Sequence, residues 1–147
     1  MSNVLEVRDL AVSYGKVQAL EGVSLTIGEG EVVSLLGNNG AGKSTTVSTI
    51  SGVVRAHAGT ITAFGEDITR AKPWTIVELG VIQVPEGRRI FSRLTVHENL
   101  QLGGYSVRDN KLIGERITRV YDLLPRLAER RTQQGGTLSG GEQQMLA

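Results

Sequence analysis

The chain has 147 residues, of which 39% are hydrophobic, and this is about one domain's worth of chain with enough apolar material for a core. Its 16 Lys and Arg residues nearly balance 15 Asp and Glu residues, and the net charge of +1 disfavours a nucleic-acid binder, which usually has a marked basic excess. Because there is no cysteine, disulfides and cysteine-ligated zinc are excluded.

The first part of the chain predicts β structure. Residues 5–8 alternate between apolar and polar side chains, and residues 23–27 alternate more strictly. Such alternation indicates strands of a sheet with one solvent-exposed face. Gly28-Glu29-Gly30 predicts a turn into the apolar run Val32-Val33-Ser34-Leu35-Leu36, which we expect to be a buried strand.

The eight residues after this run fit G-x-x-x-x-G-K-S/T, the loop that wraps the phosphates of a nucleotide. A strand before the loop and a helix after it bring backbone N–H groups and the positive end of the helix dipole to one anion. Lys43 then reaches the β- and γ-phosphates, and the Ser44 hydroxyl is a ligand of the Mg²⁺ that bridges them. The predicted nucleotide-binding residues are Gly37, Asn38, Asn39, Gly40, Ala41, Gly42, Lys43, Ser44 and Thr45.

The helix after the phosphate loop (residues 37–44) conflicts with intrinsic propensity, because β-branched residues dominate residues 45–50. We expect the motif to override this preference. Two more strands are predicted further along, one over residues 59–67 and one at Val81-Ile82-Gln83-Val84. Pro85 stops the second, because proline cannot donate to a strand ladder.

The sequence predicts helices after residue 94. Thr95 and Glu98 form a capping box that opens a helix through about Leu102. A second helix is predicted over residues 111–124, and Pro125 marks a kink or its end. Its apolar side chains recur at helical spacing, which favours core packing over a cofactor role; they are Ile113, Ile117, Val120, Tyr121 and Leu124.

One histidine and three arginines are expected to lie on the surface without a binding role. His97 is expected to face solvent on its helix, since no carboxylate or second histidine lies at ligand-like spacing. Arg126, Arg130 and Arg131 are expected to form a solvated basic cluster.

The heptad Leu138-Ser139-Gly140-Gly141-Glu142-Gln143-Gln144, here called the signature loop, predicts a second helix start. Ser139 and Glu142 have the spacing of a capping box, and Gly140 and Gly141 leave backbone N–H groups accessible. An ordinary capped helix would have the same box. Together with the phosphate loop, the heptad indicates a second anion site on the chain.

These two motifs together resemble the ATP-binding subunit of ABC transporters. The resemblance implies an α/β fold, a P-loop NTPase core with an N-terminal antiparallel β subdomain and an α-helical subdomain. It divides the chain into a β subdomain with the phosphate loop at residues 1–94, a helical subdomain at 95–137 and the signature at 138–147. It also implies that the chain stops before the C-terminal strands of the core.

In this family two subunits pack head to tail, and each ATP lies between the phosphate loop of one subunit and the signature loop of the other. The resemblance therefore implies ATP and Mg²⁺ as cofactors and a second ATPase subunit, identical or not, as a partner. The signature residues that it assigns to the partner's nucleotide are Ser139, Gly140, Gly141, Glu142 and Gln143.

Two more site residues follow from the resemblance. Tyr14 matches the aromatic residue that stacks on adenine, a contact that needs a flat apolar face. The position after Pro85 is usually a glutamine that touches Mg²⁺ and the attacking water, and here it is Glu86. Gln83 is the alternative, but counting back from residues 94–100 favours Glu86 as the catalytic and metal-binding residue.

The string Pro85-Glu86-Gly87-Arg88-Arg89 resembles the ATPase subunits of branched-chain amino acid importers. Those subunits work with integral membrane permeases, and Arg88, Arg89 and Phe91 are candidate permease contacts. No apolar run approaches the roughly 20 residues that span a bilayer, and no signal peptide is evident. We therefore expect a cytoplasmic protein, peripheral on the inner face of the cell membrane.

The resemblance predicts an ATPase that drives transport, with Lys43 and Glu86 as catalytic residues. The family's Walker B aspartate, adjacent glutamate and later histidine follow the signature helix, so residues 1–147 alone are expected to bind ATP far better than they cleave it. Two alternatives stay open at this point. One is an ABC ATPase that does not act in transport, and the other is a nucleotide-binding fragment without turnover.

Overall fold

The computed structural model describes residues 3–147 and divides the chain into two compact units, Met1–Gln83 and Val84–Ala147. Each unit has a hydrophobic core of its own. The first unit combines a sheet with two helices, and the second unit is helical. The predicted subdivision at residues 94 and 137 stays a prediction.

The first unit is built on a four-stranded antiparallel sheet. Its strands are β1 (Asn3–Tyr14), β2 (Val17–Gly28), β3 (Ala58–Ala63) and β4 (Glu66–Asp67). Their order across the sheet is β2-β1-β3-β4, and every neighbouring pair is antiparallel. The strands predicted from alternation at the N-terminus are confirmed, as is the short strand that leaves through a turn.

β1 contains an irregularity that keeps its apolar side chains on the core face. Its register with β2 shifts between Val7 and Leu10. Its register with β3 shifts between Arg8 and Ala11. Asp9 has a φ of 47° there, and its N–H donates to Ser24 Oγ at 2.8 Å. An extra residue of this kind returns the next apolar side chain to the buried face. The core consists of Val7, Leu10, Val12, Leu20, Ile61, Ala63, Ile68 and Ile76.

Two predicted strands are wrong. Residues 31–38, which include the run at 32–36, form neither helix nor strand, and Val32 and Leu36 are 93% and 91% exposed. Residues 81–84 are likewise irregular. A strand is stable only when a neighbouring strand takes its backbone hydrogen bonds, and no strand among residues 3–147 pairs with either segment.

Two helices complete the first unit, α1 (Lys43–Ile50) and α2 (Pro73–Leu79). Pro73 occupies the first turn of α2, where its fixed φ suits the helix and its missing N–H costs nothing. Ile76 of α2 is fully buried and joins the core of the sheet. The sheet therefore packs one face against helical residues.

The second unit contains α3 (Val96–Gly103), α4 (Asn110–Leu123), α5 (Pro125–Glu129), a short 3₁₀ turn (Gly135–Thr137) and α6 (Gly140–Leu146). The three helices predicted from capping boxes and periodicity are confirmed within one or two residues. Across the described part of the chain, no helix is both long enough and apolar enough to cross a membrane.

The apolar stripe of α4 packs as predicted. Ile117 is buried, and the residues that follow it on the same face are partly buried. Pro125 separates α4 from α5, which confirms the expected interruption. The core of the second unit consists of Val96, Leu127, Leu138 and Leu146, against which Ile90, Leu100, Val120, Tyr121 and Leu124 pack.

The expectation that His97 faces solvent is wrong. Its Nδ1 lies 3.0 Å from the Tyr121 hydroxyl, and the two rings stack with centroids 6.3 Å apart. Burial raises the pKa of Tyr121. Because α3 and α4 are in contact, an imidazole on α3 reaches a tyrosine 24 residues later in the chain.

Candidate functional site

The phosphate loop joins the irregular segment after β2 to the start of α1. The Ala41 N–H donates to the Asn38 carbonyl at 3.1 Å, which closes a tight turn. Gly40 and Gly42 have φ values of 86° and 84°, in the left-handed region that favours glycine. The loop therefore curves in the way that a ring of backbone donors around a phosphate requires.

Gly42 also touches the sheet. A methyl group built on its Cα would lie 2.4 Å from Leu20 Cδ2 and 2.9 Å from the Ala19 carbonyl oxygen. Both neighbours belong to β2, so β2 fixes the end of the loop and the start of α1. No larger residue fits at position 42 without moving the strand.

The ammonium group of Lys43 lies inside the phosphate loop. Its Nζ donates to the carbonyl oxygens of Gly37 and Asn38, both at 2.8 Å. These bonds hold the positive charge beside the backbone that is predicted to bind phosphate. A phosphate oxygen can accept from an ammonium group in the same way, and the contact of Lys43 with a nucleotide stays a prediction.

α1 forms even though its sequence is rich in β-branched residues. Thr46 Oγ1 donates to the Gly42 carbonyl at 3.0 Å, and Thr49 Oγ1 donates to the Thr45 carbonyl at 2.7 Å. Both threonines are buried. Their hydroxyls are satisfied by the preceding turn, so burial costs little and the poor propensity is overcome.

Tyr14 lies at the end of β1, in the same unit as the phosphate loop. Its side chain is 52% exposed, and it pairs with Val17 across the turn to β2. A half-exposed aromatic ring has a face available for a base. The assignment of Tyr14 to adenine stays a prediction.

Gln83 and Glu86, the two candidates for the metal-contacting position, differ in their surroundings. Gln83 Oε1 accepts from Ser51 Oγ at 2.6 Å, at the C-terminal end of α1. Glu86 is exposed and lies in the turn that includes Gly87. A carboxylate on an exposed turn is a hard oxygen donor of the kind that Mg²⁺ prefers, and the role of Glu86 stays a prediction.

The capping box of the signature loop is formed as predicted. Ser139 Oγ accepts from the Glu142 N–H at 3.3 Å, and the Glu142 carboxylate accepts from the Ser139 N–H at 2.9 Å. Hydrogen bonds from the Ser139 backbone and side chain, followed by the charge of Arg130 and Arg126, lower the pKa of Glu142. The box therefore holds a charged carboxylate at the start of α6.

Sequence reasoning missed the role of Arg130, which it assigned to a solvated cluster. Arg130 Nε lies 2.8 Å from Glu142 Oε1, and Arg130 Nη1 donates to Gln133 Oε1 at 3.0 Å. Gln143 Nε2 donates to the carbonyls of Gly135 and Leu138 at 3.3 and 3.2 Å. These contacts fasten the signature loop to the preceding segment. No local pattern joins Arg130 to a carboxylate 12 residues later.

Ser44 and Glu86, which were predicted to hold Mg²⁺, carry the kind of donor atom that this ion accepts. Among residues 3–147, no three His, Cys, Asp or Glu residues form a cluster that could hold a metal ion by themselves. Mg²⁺ bound to a nucleotide takes only one or two protein oxygens and completes its shell with phosphates and water. Ser44 and Glu86 offer a hydroxyl and a carboxylate, which are hard oxygen donors of the right kind.

Comparison with known proteins shows the family. The model of the family described as "ABC transporter" matches residues 20–147. The high-affinity branched-chain amino acid transport ATP-binding protein BraG of Pseudomonas aeruginosa is 49% identical over 134 residues, 91% of this chain and 57% of BraG. The probable branched-chain amino acid transport ATP-binding protein LivF of Archaeoglobus fulgidus is 36% identical over 138 residues, 94% of this chain and 58% of LivF.

A solved structure shows the same fold. The ADP conformation of MJ1267, an ATP-binding cassette of an ABC transporter, superposes with a TM-score of 0.83 at 26% sequence identity. The match covers 99% of this chain and 63% of that one. The chain thus spans less than two thirds of the length of the proteins it matches, and the predicted fold class is confirmed for the part that is shared.

Proposed function

Because the chain belongs to the ABC transporter family, we propose that it is part of an ATPase subunit that powers amino-acid import, with branched-chain aliphatic amino acids as solutes. The names of BraG and LivF specify transport of this solute class and support the proposal. The Pro85-Glu86-Gly87-Arg88-Arg89 string supports it independently.

The observation that carries nucleotide binding is the position of the Lys43 ammonium group. It lies within hydrogen-bond distance of two loop carbonyls, beside glycines whose left-handed backbone curves the loop. A triphosphate would receive charge-assisted hydrogen bonds from Lys43 and neutral ones from N–H groups at the start of α1. The residues proposed to contact ATP in this unit are Tyr14, Gly37, Asn38, Asn39, Gly40, Ala41, Gly42, Lys43, Ser44 and Thr45.

We assign Mg²⁺ to the Ser44 hydroxyl and the Glu86 carboxylate. When bound, the cation compensates the negative charge of the β- and γ-phosphates. Glu86 needs that compensation, since its carboxylate would otherwise repel the γ-phosphate. Lys43 and Glu86 are therefore the residues of this chain that are proposed to take part in catalysis.

The signature loop is proposed to act on a nucleotide held by a second ATPase subunit, in a head-to-tail pair. Ser139 and the first turn of α6 are prearranged by the capping box, and Arg130 and Gln143 fasten that turn to its neighbours. A prearranged donor set costs little reorganisation when a phosphate arrives. The proposed contacts are Ser139, Gly140, Gly141, Glu142 and Gln143.

Hydrolysis and transport are proposed for the full-length protein with its permease, at the cytoplasmic face of the membrane. The family pattern places the residues that polarise water after the signature helix, so we propose that residues 1–147 alone bind ATP with little turnover. The net charge of +1 supports a role without nucleic acid.

The test of nucleotide binding is Lys43→Ala in the full-length protein, with Lys111→Ala as the control. Lys111 is an exposed lysine on α4, outside every proposed contact. Loss of a charge-assisted hydrogen bond is expected to weaken MgATP binding by about 10- to 100-fold, while the control stays unchanged. Calorimetric titration measures both, and unchanged affinity in Lys43→Ala would refute the proposal.

The transport role is tested with the permease. The full-length protein should co-purify with integral membrane subunits, and proteoliposomes containing the assembly should accumulate leucine in an ATP-dependent manner. Ribosomal or DNA partners in place of a permease would favour the non-transport alternative. Retention of ATP without phosphate release by the complete assembly would favour the non-hydrolysing alternative.

A further inference from the structure

Arg88 has a backbone conformation that arginine rarely adopts. Its φ is 53°, it follows Gly87 with a φ of 80°, and the Ile90 N–H donates to its carbonyl in a tight turn. A residue other than glycine keeps a left-handed backbone conformation only where the surrounding structure stabilises it. The position of the Arg88 side chain is therefore accompanied by strain in the backbone of the turn.

The guanidinium group of Arg88 lies against the first residue of α6. A methyl group built on Gly140 would lie 2.9 Å from Arg88 Nη1 and 3.2 Å from both Cζ and Nη2. The guanidinium thus occupies the space that a side chain at Gly140 would need. Glycine is a poor helix former, and at the first helical position it leaves this space to the guanidinium.

The same turn carries Glu86, the proposed Mg²⁺ ligand. Residues 84–88 line a cavity of about 490 Å³ together with Gln143 and Gln144 of α6. Arg88 therefore lies between the turn that carries Glu86 and the start of α6. The turn and the helix both belong to the second unit.

We propose that Arg88 is a positioning residue that couples the Glu86 turn to the signature helix through its contact with Gly140. This rests on the proposed function, because the coupling has a use only if Glu86 serves one nucleotide and α6 serves another. A change at the metal site would then reach α6 through the guanidinium of Arg88.

The first test is Arg88→Asn in the full-length protein, with Arg93→Asn as the control. Asparagine tolerates positive φ, so the turn keeps its shape while the guanidinium is lost. Arg93 is an exposed arginine of the same segment. A misplaced catalytic group costs up to about 100-fold in rate, and we expect kcat for ATP hydrolysis to fall at least about tenfold in Arg88→Asn, with KM for MgATP within about twofold of wild type.

Hydrogen exchange supplies a readout that separates positioning from general stability. The amides of α6 should exchange faster in Arg88→Asn, whereas those of α4 should not change. Arg93→Asn should match wild type in both rate and exchange. Wild-type kcat in Arg88→Asn, or faster exchange throughout the second unit, would overturn the inference.

The second test is a double-mutant cycle with Gly140→Ala. The added methyl should displace the guanidinium, so Gly140→Ala should lower kcat to the level of Arg88→Asn while α6 stays folded. The double variant should then be no worse than either single variant, within about twofold. If the loss of kcat in the double variant equals the product of the two single losses, Gly140 acts independently of Arg88. That result would contradict the proposed coupling.

Lys43→Ala, measured in the same series, keeps the two proposals apart. If Lys43→Ala abolishes MgATP binding but Arg88→Asn behaves like Arg93→Asn, the coupling is wrong and nucleotide binding stands. If Lys43→Ala binds MgATP normally, the proposed function itself fails.

Discussion

The two helix starts on which the proposed function depends are built in opposite ways. α1 follows Gly42, which has no side chain to cap the first turn, and no acidic residue lies in that turn. α6 follows Ser139, which forms a reciprocal capping box with Glu142. At α1 no capping side chain competes with a phosphate for the first N–H groups, whereas the start of α6 is stabilised by the chain itself.

The difference shows what each site depends on. The phosphate loop depends on backbone shape, which two left-handed glycines and one close approach to β2 provide. The signature loop depends on side chains, namely a serine, a glutamate and the arginine beside it. Substitutions that change backbone conformation should therefore damage the phosphate loop more. Substitutions that remove a side chain should damage the signature loop more.

The largest effect is expected for Gly42→Ala. Its methyl would overlap Leu20 and the Ala19 carbonyl, and alanine is strained at a φ of 84°. Left-handed strain of about 1–2 kcal/mol and overpacking of about 1–3 kcal/mol together predict a loss of roughly 2–5 kcal/mol. Urea titration of the full-length protein measures the loss, and MgATP binding should be lost with it.

Gly40→Ala is the matched control for Gly42→Ala. Its φ of 86° is nearly the same, but a methyl there would meet no atom within 4 Å. Only the backbone strain of about 1–2 kcal/mol is expected. Equal losses for the two variants would show that the contact with β2 does not hold the phosphate loop.

A smaller effect is expected for Ser139→Ala, which removes the cap of α6. Loss of an N-terminal cap costs about 1 kcal/mol, so the amides of α6 should exchange about fivefold faster with solvent. Ser139→Thr keeps the hydroxyl acceptor and is expected to restore most of the protection. Unchanged exchange in Ser139→Ala would mean that the packing of Leu146 and not the box holds α6.

Local patterns predicted the elements that depend on neighbouring residues. The box of Thr95 and Glu98, the box of Ser139 and Glu142, and the extent of α4 all follow from side chains within one or two helical turns. Such elements carry their own hydrogen bonds, so no distant segment is needed to form them.

Features that depend on distant residues were not predictable from the sequence. The apolar run at 32–36 has the composition of a strand, but a strand needs a partner, and none of the described strands pairs with it. The contacts of Arg130 with Glu142, His97 with Tyr121 and Arg88 with Gly140 join residues that are far apart in the chain. Nothing in local spacing distinguishes such residues from solvated surface.

The smallest effect is expected when the pH is lowered. This change should also distinguish the start of α6 from the start of α1 most clearly. Hydrogen bonds from the Ser139 N–H and hydroxyl lower the pKa of Glu142 below its ordinary value of 4.5, and those from Thr95 do the same for Glu98. A carboxylate with a depressed pKa stabilises the folded state at pH above 4.5, and that stabilisation is lost as the pH falls through the lowered value. α3 and α6 should therefore lose protection below pH 4.5.

Glu142→Gln tests this in a single protein. Glutamine keeps the box geometry but does not titrate, so the protection of α6 should become independent of pH while α3, which keeps Glu98, still loses protection in acid. α1 has no acidic residue in its first turn and should show no such loss in either protein. Hydrogen exchange, corrected for intrinsic rates at each pH, measures all three helices at once. If α6 of Glu142→Gln still frays below pH 4.5 as wild type does, its start does not depend on a charged carboxylate, and the contrast with α1 lies elsewhere.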